Sequence, residues 1–341
     1  MRLHVNFGKG LGFGLLLLAA PALADPAPQA ATPAPAQPLP FQLVNQFRTM
    51  FGVHPGFRAN HAKGSVFEGT FTPAAAAKGL TKAEHLAGPA VPIVVRFSNG
   101  GGLPDMPDTH PSYRTRGMAV KFKLPDGKAT DIVCISTNGF PVSNGADFLG
   151  LLQAIAATKP DSPKPTPIET FLGSHPAAAK AVATPQPIPE SYATQPFFGV
   201  NAFKFTNAAG ETKFGRYQLV PEAGAHFLSD ADADKLPPNF LSDSVKDRLK
   251  KGPVKFKLFV QLAQPGDVTN DATVVWPDSN PKVELGEISI ATADPGSLAT
   301  EKKLLFVPTA LIDGIAASDD PIIPLRGAAY GVSYGLRQAG R

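Results

Sequence analysis

Short runs in which apolar and polar residues alternate, each closed by glycine, proline or aspartate, recur along most of this chain. A period of two puts one face of each run in a core, so the chain must fold around sheet. The clearest are residues 65–72, Val91-Pro-Ile-Val-Val-Arg96-Phe-Ser98, Gly117-Met-Ala-Val-Lys-Phe-Lys-Leu124 and Asp131-Ile-Val-Cys-Ile-Ser136. Asp126-Gly127 marks a hairpin turn between the last two. Further strand signals fall at 202–206, 213–220, 255–262 and 284–291, and 304–307 is short and apolar. Helical spacing appears at 41–51, 74–87, 148–157, 168–172, 177–183 and 240–251. Antiparallel-looking strands with helices inserted between blocks predict an α+β fold, with the sheet curled strongly or closed into a barrel.

The first 39 residues stand apart. Arg2 and Lys9 precede an apolar run, Leu11 to Ala20, and Pro21-Ala-Leu-Ala24 resembles a cleavage site. This predicts a signal peptide over 1–24 and export to a bacterial periplasm; the apolar stretch is short for a membrane span. Residues 25–39, nearly all Ala, Pro, Gln and Thr, have little to bury and read as a tether. The folded domain is expected over 40–341, with no stable membrane span in the mature protein.

Composition removes several function classes. Cys134 is the only cysteine, which excludes an intrachain disulfide and cysteine-built iron–sulfur or zinc sites. Stability must come from an ordinary core, and roughly 300 residues suffice for one. A net charge of +4 without a Lys/Arg stripe argues against nucleic-acid binding. No Gly-x-Gly-x-x-Gly fingerprint stands at a strand–helix junction, and no phosphate-loop lysine motif occurs.

Two clusters carry chemistry. Arg58-Ala-Asn-His61-Ala-Lys63-Gly64 holds the best acid–base candidate, His61, although a lone histidine is more often a structural group. Near the far end, Arg326, Tyr330 and Arg337 are separated by four and seven positions and share one helical face. Tyr330 could bind ferric iron through its phenolate, which needs help because an unperturbed tyrosine titrates near about 10. Arg326 supplies positive charge one turn earlier. A basic terminal helix with Tyr330 in its apolar seam fits the same spacing. Between the clusters, Arg96 and Ser98 end a strand and can pair with a carboxylate and orient an imidazole, or form a surface ion pair and loop cap. Asn138 can donate to a polar substrate or simply form a turn with Gly139. Phe148 can pack on a flat cofactor or in a core.

Taken in order, these segments resemble the catalase superfamily, and specifically its small, exported catalase-related haem peroxidases. The resemblance rests on Arg58-Ala-Asn-His61-Ala-Lys63-Gly64, Arg96-Phe97-Ser98, Arg116-Gly117-Met-Ala-Val-Lys121-Phe122, Val275-Trp276-Pro277, Val283-Glu284-Leu285-Gly286, Gly314-Ile315 and Arg326-Gly-Ala-Ala-Tyr330. It implies a catalase-like antiparallel β-barrel with inserted and flanking helices. It further implies haem, with haem b expected, Tyr330 as proximal iron ligand and Arg326 as support for the tyrosinate. His61 becomes the distal acid–base group, Ser98 its orienting partner and Asn138 the distal amide. Arg58, Arg96 and Arg337 become candidates for the propionates, and Phe148 for the distal aromatic.

The chain is shorter than a full-length catalase and stops soon after Arg337, and Tyr334 stands where the longer enzymes carry a histidine. A less enclosed haem admits larger peroxides or electron donors. The expected function is therefore reduction of organic peroxides and hydrogen peroxide with a small-molecule or protein donor, with weak catalase activity left open. A fatty-acid hydroperoxide isomerase or synthase, and an exported haem carrier without catalysis, remain the alternatives.

Overall fold

The computed structural model describes residues 37–110 and 114–340; the expected signal peptide and most of the tether lie outside the described residues. Among the described residues twelve strands follow in order. They are β1 (Gly64–Pro73), β2 (Val91–Asn99), β3 (Arg116–Lys123), β4 (Ala129–Ile135), β5 (Ile188–Pro189) and β6 (Phe197–Phe198), then β7 (Phe203–Thr206), β8 (Thr212–Pro221), β9 (Phe227–Leu228), β10 (Val254–Leu262), β11 (Lys282–Ala293) and β12 (Ile315–Ala317). Strands run β10-β11-β1-β2-β3-β4-β6-β8, and β8 pairs again with β10, which closes an eight-stranded barrel. Its pairings are antiparallel throughout. The α+β barrel expected above is thus the fold observed. β7 and β12 extend the sheet outward from β8, and β5 pairs with β9 in a small separate ribbon.

The barrel interior is filled by side chains. Phe67, Phe71, Phe97, Phe122, Phe197 and Phe256 are fully buried there. Phe97 stacks on Tyr192 at 5.1 Å between ring centroids. Burial of this much aromatic surface, about 1.5–3 kcal/mol per large apolar side chain, supplies the core that a disulfide-free chain requires.

Ten helices decorate the barrel among the described residues. They are α1 (Leu39–Phe51), α2 (Ala77–Leu80), α3 (Glu84–Ala87), α4 (Gly145–Ala157), α5 (Pro167–Ser174), α6 (Pro176–Ala183), α7 (Asp230–Ala233), α8 (Phe240–Leu249), α9 (Ser297–Lys303) and α10 (Ile322–Gln338). α1 carries a proline in its first turn, where no backbone donor is lost, and stops at Gly52 with φ 83°. α4 is capped by Asn144, whose side chain accepts from Asp147 N. The single helix expected over 74–87 is two isolated turns instead. Thr81 is extended between them, because its hydroxyl bonds Gly314 O at 2.8 Å and also accepts from Ala83 N.

One alternation positions the site. Along β2–β4, Phe97, Met118, Val120 and Ile132 belong to the barrel core. Ser98 lies opposite Gly117 and Gly117 opposite Ile135; Arg96 lies opposite Ala119 and Ala119 opposite Val133. These two rows therefore form the outer face of the barrel. α10 and α1, which pack on one another, border the same space. β2 is buried at eight of nine positions because its outer face is covered too.

Candidate functional site

Between this outer face and α1, α4 and α10 lies a cavity of about 240 Å³. Its walls include His61, Ser98, Arg58, Arg96, Phe148, Arg326, Tyr330 and Arg337, which brings eight of the nine expected site residues together. Most of the remaining lining is apolar, with Leu43, Phe47, Phe140, Phe198, Phe306 and Leu325 contributing. Asn138 is not among the lining residues. β4 ends at Ile135, and the following loop is drawn toward the 268–277 segment: Phe140 N donates to Ala272 O at 2.9 Å, and Gly139 packs against Val275.

His61 stands in the loop before β1, and its Nδ1 and Ser98 Oγ are hydrogen-bonded at 3.0 Å. That leaves Nε2 as the ring nitrogen available to a substrate. Gly117, directly across the ladder from Ser98, makes room for the pair. A Cβ there would stand 2.7 Å from Ser98 Oγ and 3.2 Å from the imidazole. His61 is the only non-glycine among the described residues with positive φ, at 54°. A left-handed backbone at such a residue costs about 1–3 kcal/mol and persists only where neighbours hold it. Asn60 Oδ1 accepts from His61 N at 3.0 Å and from Gly101 N at 2.7 Å. Arg96 Nη2 donates to His61 O at 2.9 Å.

Burial drives the His61 pKa down from 6.5 to about 3, reinforced by Arg96, Arg58, Arg326 and Arg116. The ring is thus neutral at physiological pH and able to accept a proton. Cys134, on the same wall, is pushed by burial up to about 12 and remains an inert thiol.

At one rim three arginines gather around one carboxylate. Glu301 Oε2, on α9, accepts from Arg96 Nη2 at 2.7 Å, Arg96 Nε at 3.0 Å and Arg58 Nη1 at 3.2 Å. Arg58 and Arg337 also converge on Leu304 O, at 2.8 and 2.9 Å. Gly64 clears the Arg96 guanidinium, since a Cβ there would overlap Arg96 Nη2 at 2.3 Å. Three guanidiniums against one carboxylate leave a formal surplus of two positive charges. Arg58 is accordingly lowered well below the usual arginine range by burial, then by Arg96 and Arg337.

On α10, Arg326 Nη2 donates to the Tyr330 phenol oxygen at 3.1 Å. The same guanidinium donates through Nη1 to Asn201 Oδ1 at 2.6 Å, and Asn201 Nδ2 donates to Asp320 Oδ2 at 2.7 Å. Asp320 and Asn201 are each 1% exposed. This Asp320–Asn201–Arg326–Tyr330 chain fixes the phenol and sets a cation beside it. Asn201, Asp320, Glu301 and Asn60 were all missed in the sequence reading. Only Asn60 carried a local signal, its place beside His61.

Among the described residues, no group of three or more His, Cys, Asp or Glu side chains could hold a metal ion. A flat apolar group with two carboxylates fits both the cavity walls and the two-charge surplus of the arginine rim. No helix among the described residues is long and apolar enough to cross a membrane.

The family model described as Catalase matches residues 55–339. The chain is 39% identical over 301 residues to a "Catalase-related peroxidase" of Mycolicibacterium paratuberculosis, covering 87% of this chain and 94% of that protein. It is 33% identical over 308 residues to a protein of the same description from Synechococcus elongatus, covering 88% and 89%. A fungal catalase structure superposes with a TM-score of 0.73 at 22% identity, over 82% of this chain and 59% of that one, a likeness of fold.

Proposed function

The chain belongs to the catalase family and is a peroxidase of the catalase-related type, and we propose that it works with haem b, held through Tyr330, to reduce organic hydroperoxides and hydrogen peroxide. The observation that carries this reading is the shared cavity. His61 with Ser98, and Tyr330 with Arg326, border one apolar space whose rim holds three arginines. Arg58, Arg96 and Arg337 would hold the propionates, and Tyr330 the iron. Haem, when bound, supplies the electrons that cleave the peroxide O–O bond and later takes them back from a donor.

The remaining work falls to the protein. Neutral His61 takes the proton from the inner peroxide oxygen at Nε2 and returns it to the outer oxygen, which leaves as water or an alcohol. Ser98 holds the ring through Nδ1 so that Nε2 is the exchanging atom. Arg326 stabilises the Tyr330 phenolate. Phe148, whose ring lies 6.1 Å from that of Phe47 and 5.0 Å from that of Phe140 between centroids, joins them in excluding water and favouring an apolar peroxide substituent. Asn138 has no part in this reading, since it does not border the cavity. The donor is a small molecule or a protein. Residues 1–24 are read as the signal that sends the chain to the periplasm.

Stopped-flow absorption of the haem-loaded protein mixed with cumene hydroperoxide or hydrogen peroxide, with and without a donor dye, tests this proposal. Wild type should react rapidly and release the alcohol, and His61→Ala should lose the rapid phase with haem retained. A rapid phase in His61→Ala would overturn the distal role. A rearranged product in place of the alcohol would identify an isomerase, and full haem loading without turnover a carrier.

A further inference from the structure

His61 carries a backbone conformation that its own residue type disfavours, and one neighbouring side chain is placed to enforce it. Asn60 Oδ1 accepts two backbone hydrogens at once, from His61 N at 3.0 Å and from Gly101 N at 2.7 Å. Both residues joined in this way have positive φ, 54° at His61 and 94° at Gly101. The amide orientation is unambiguous, because only its oxygen can face two N–H donors. The neighbouring Ala62 N donates to Gly101 O at 3.0 Å, so the 60–62 segment and the 99–102 segment are tied in both directions. Nothing else on the His61 amide competes for this place: its carbonyl is held by Arg96 and its ring by Ser98.

We propose that Asn60 is a positioning residue for the peroxidase reaction, whose side-chain carbonyl locks the left-handed turn that carries the His61 imidazole over to Ser98. The idea rests on His61 acting as the proton-transfer group, as argued above. Without the lock, the His61 backbone relaxes toward negative φ, and the ring leaves Ser98 Oγ. Proton transfer then slows although every reacting group is still present. An acceptor at this position is the requirement. Aspartate meets it with the same length and branching, and alanine does not.

The test uses the full haem-loaded chain and the rate of the peroxide-induced spectral change at pH 8, where His61 is neutral in every variant. Asn60→Ala should react roughly 10- to 100-fold more slowly with haem content and the resting spectrum unchanged. Asn60→Asp should recover most of the wild-type rate. Wild-type speed in Asn60→Ala overturns the proposal. So does an Asn60→Asp variant as slow as Asn60→Ala, which would make the lost amide N–H the important group. If Asn60→Ala does not fold, Asn60→Asp decides alone: a fall of tenfold or more with haem bound counts against the lock. His61→Ala, measured beside them, separates the two failures. Fast His61→Ala defeats the reading of His61 itself, whereas slow His61→Ala with fast Asn60→Ala defeats only the lock.

Discussion

Arg326, one helical turn before Tyr330, donates to the tyrosine's phenol oxygen at 3.1 Å. Neither residue is free to drift. Arg326 is anchored through Asn201 to the buried Asp320, and the helix that carries both begins just after Asp320, whose Oδ1 accepts from Ile322 N at 2.8 Å. A cation held this rigidly beside a phenol gives its oxygen a fixed charge-assisted donor.

Replacing Arg326 with leucine should therefore weaken phenolate ligation by about 1.5–3 kcal/mol, the range for a charge-assisted hydrogen bond. The visible spectrum of haem-loaded Arg326→Leu is expected to differ from that of wild type at the same pH. Tyr330→Phe should show the fully altered spectrum at every pH. A wild-type-like spectrum in Arg326→Leu would remove the arginine from the ligand's support.

Glu301 holds Arg58 and Arg96 at 3.2 and 2.7 Å from a site 5% exposed. Glu301→Gln leaves these buried charges without their carboxylate, a loss of about 3–5 kcal/mol in the protein without cofactor. Bound propionates would replace much of that negative charge. The variant is thus expected to lose more stability without haem than with it. Thermal unfolding of both forms checks this, and equal losses in the two would argue against propionates at the arginine rim.

The depressed His61 pKa sets the acid side of the reaction. The base is the neutral imidazole, and with its pKa lowered from 6.5 to about 3 that form persists as pH falls through 6.5. The rate of peroxide reaction is expected to stay level through that point and to decline only nearer the lower value. The groups responsible are burial first, then Arg96, Arg58, Arg326 and Arg116. Stopped-flow rates from pH 8 to pH 4 measure it; a decline centred at 6.5 would mean an imidazole that solvent reaches freely.

His85 makes a separate prediction about stability. It is 1% exposed, its Nδ1 has no partner, and its ring lies 4.7 Å from that of Phe122. Burial lowers its pKa from 6.5 to about 3. Between those values the unfolded chain binds the proton and the folded one does not. Stability is therefore complete above 6.5 and falls as pH drops toward the folded value, by about 1.4 kcal/mol per pH unit for this one group. His85→Leu should flatten the decline by that amount in urea unfolding series at pH 4–6. An unchanged slope would show that the His85 ring is protonated in the fold.

Much of this arrangement could be read from the chain. The β2, β3 and β4 alternations were visible as periods of two, and the His61 and Tyr330 segments as clusters of chemically apt residues. What escaped was long-range or very short. β6 has two residues and β12 three, too few to show a period. Glu301 stands in the sequence as one charge before two lysines, and its partner Arg58 is 243 positions away. Asn201 likewise meets Arg326 across 125 positions. Asn138, expected at the site, stands outside the cavity lining. Its place after a strand was legible, but the direction of the loop depends on Ala272 and Val275, far along the chain.

The same long-range pairing dictates when the site comes into being. Arg58 and Arg96 emerge early in synthesis, yet the groups that complete their surroundings, Glu301, Leu304 and Arg337, are made near the end. A nascent chain halted before α10 carries Arg58, Arg96 and their carboxylate Glu301, but neither Tyr330 nor its supporting Arg326. A haem held through Tyr330 and the arginine rim would therefore meet its full set of side chains only once α10 has been made.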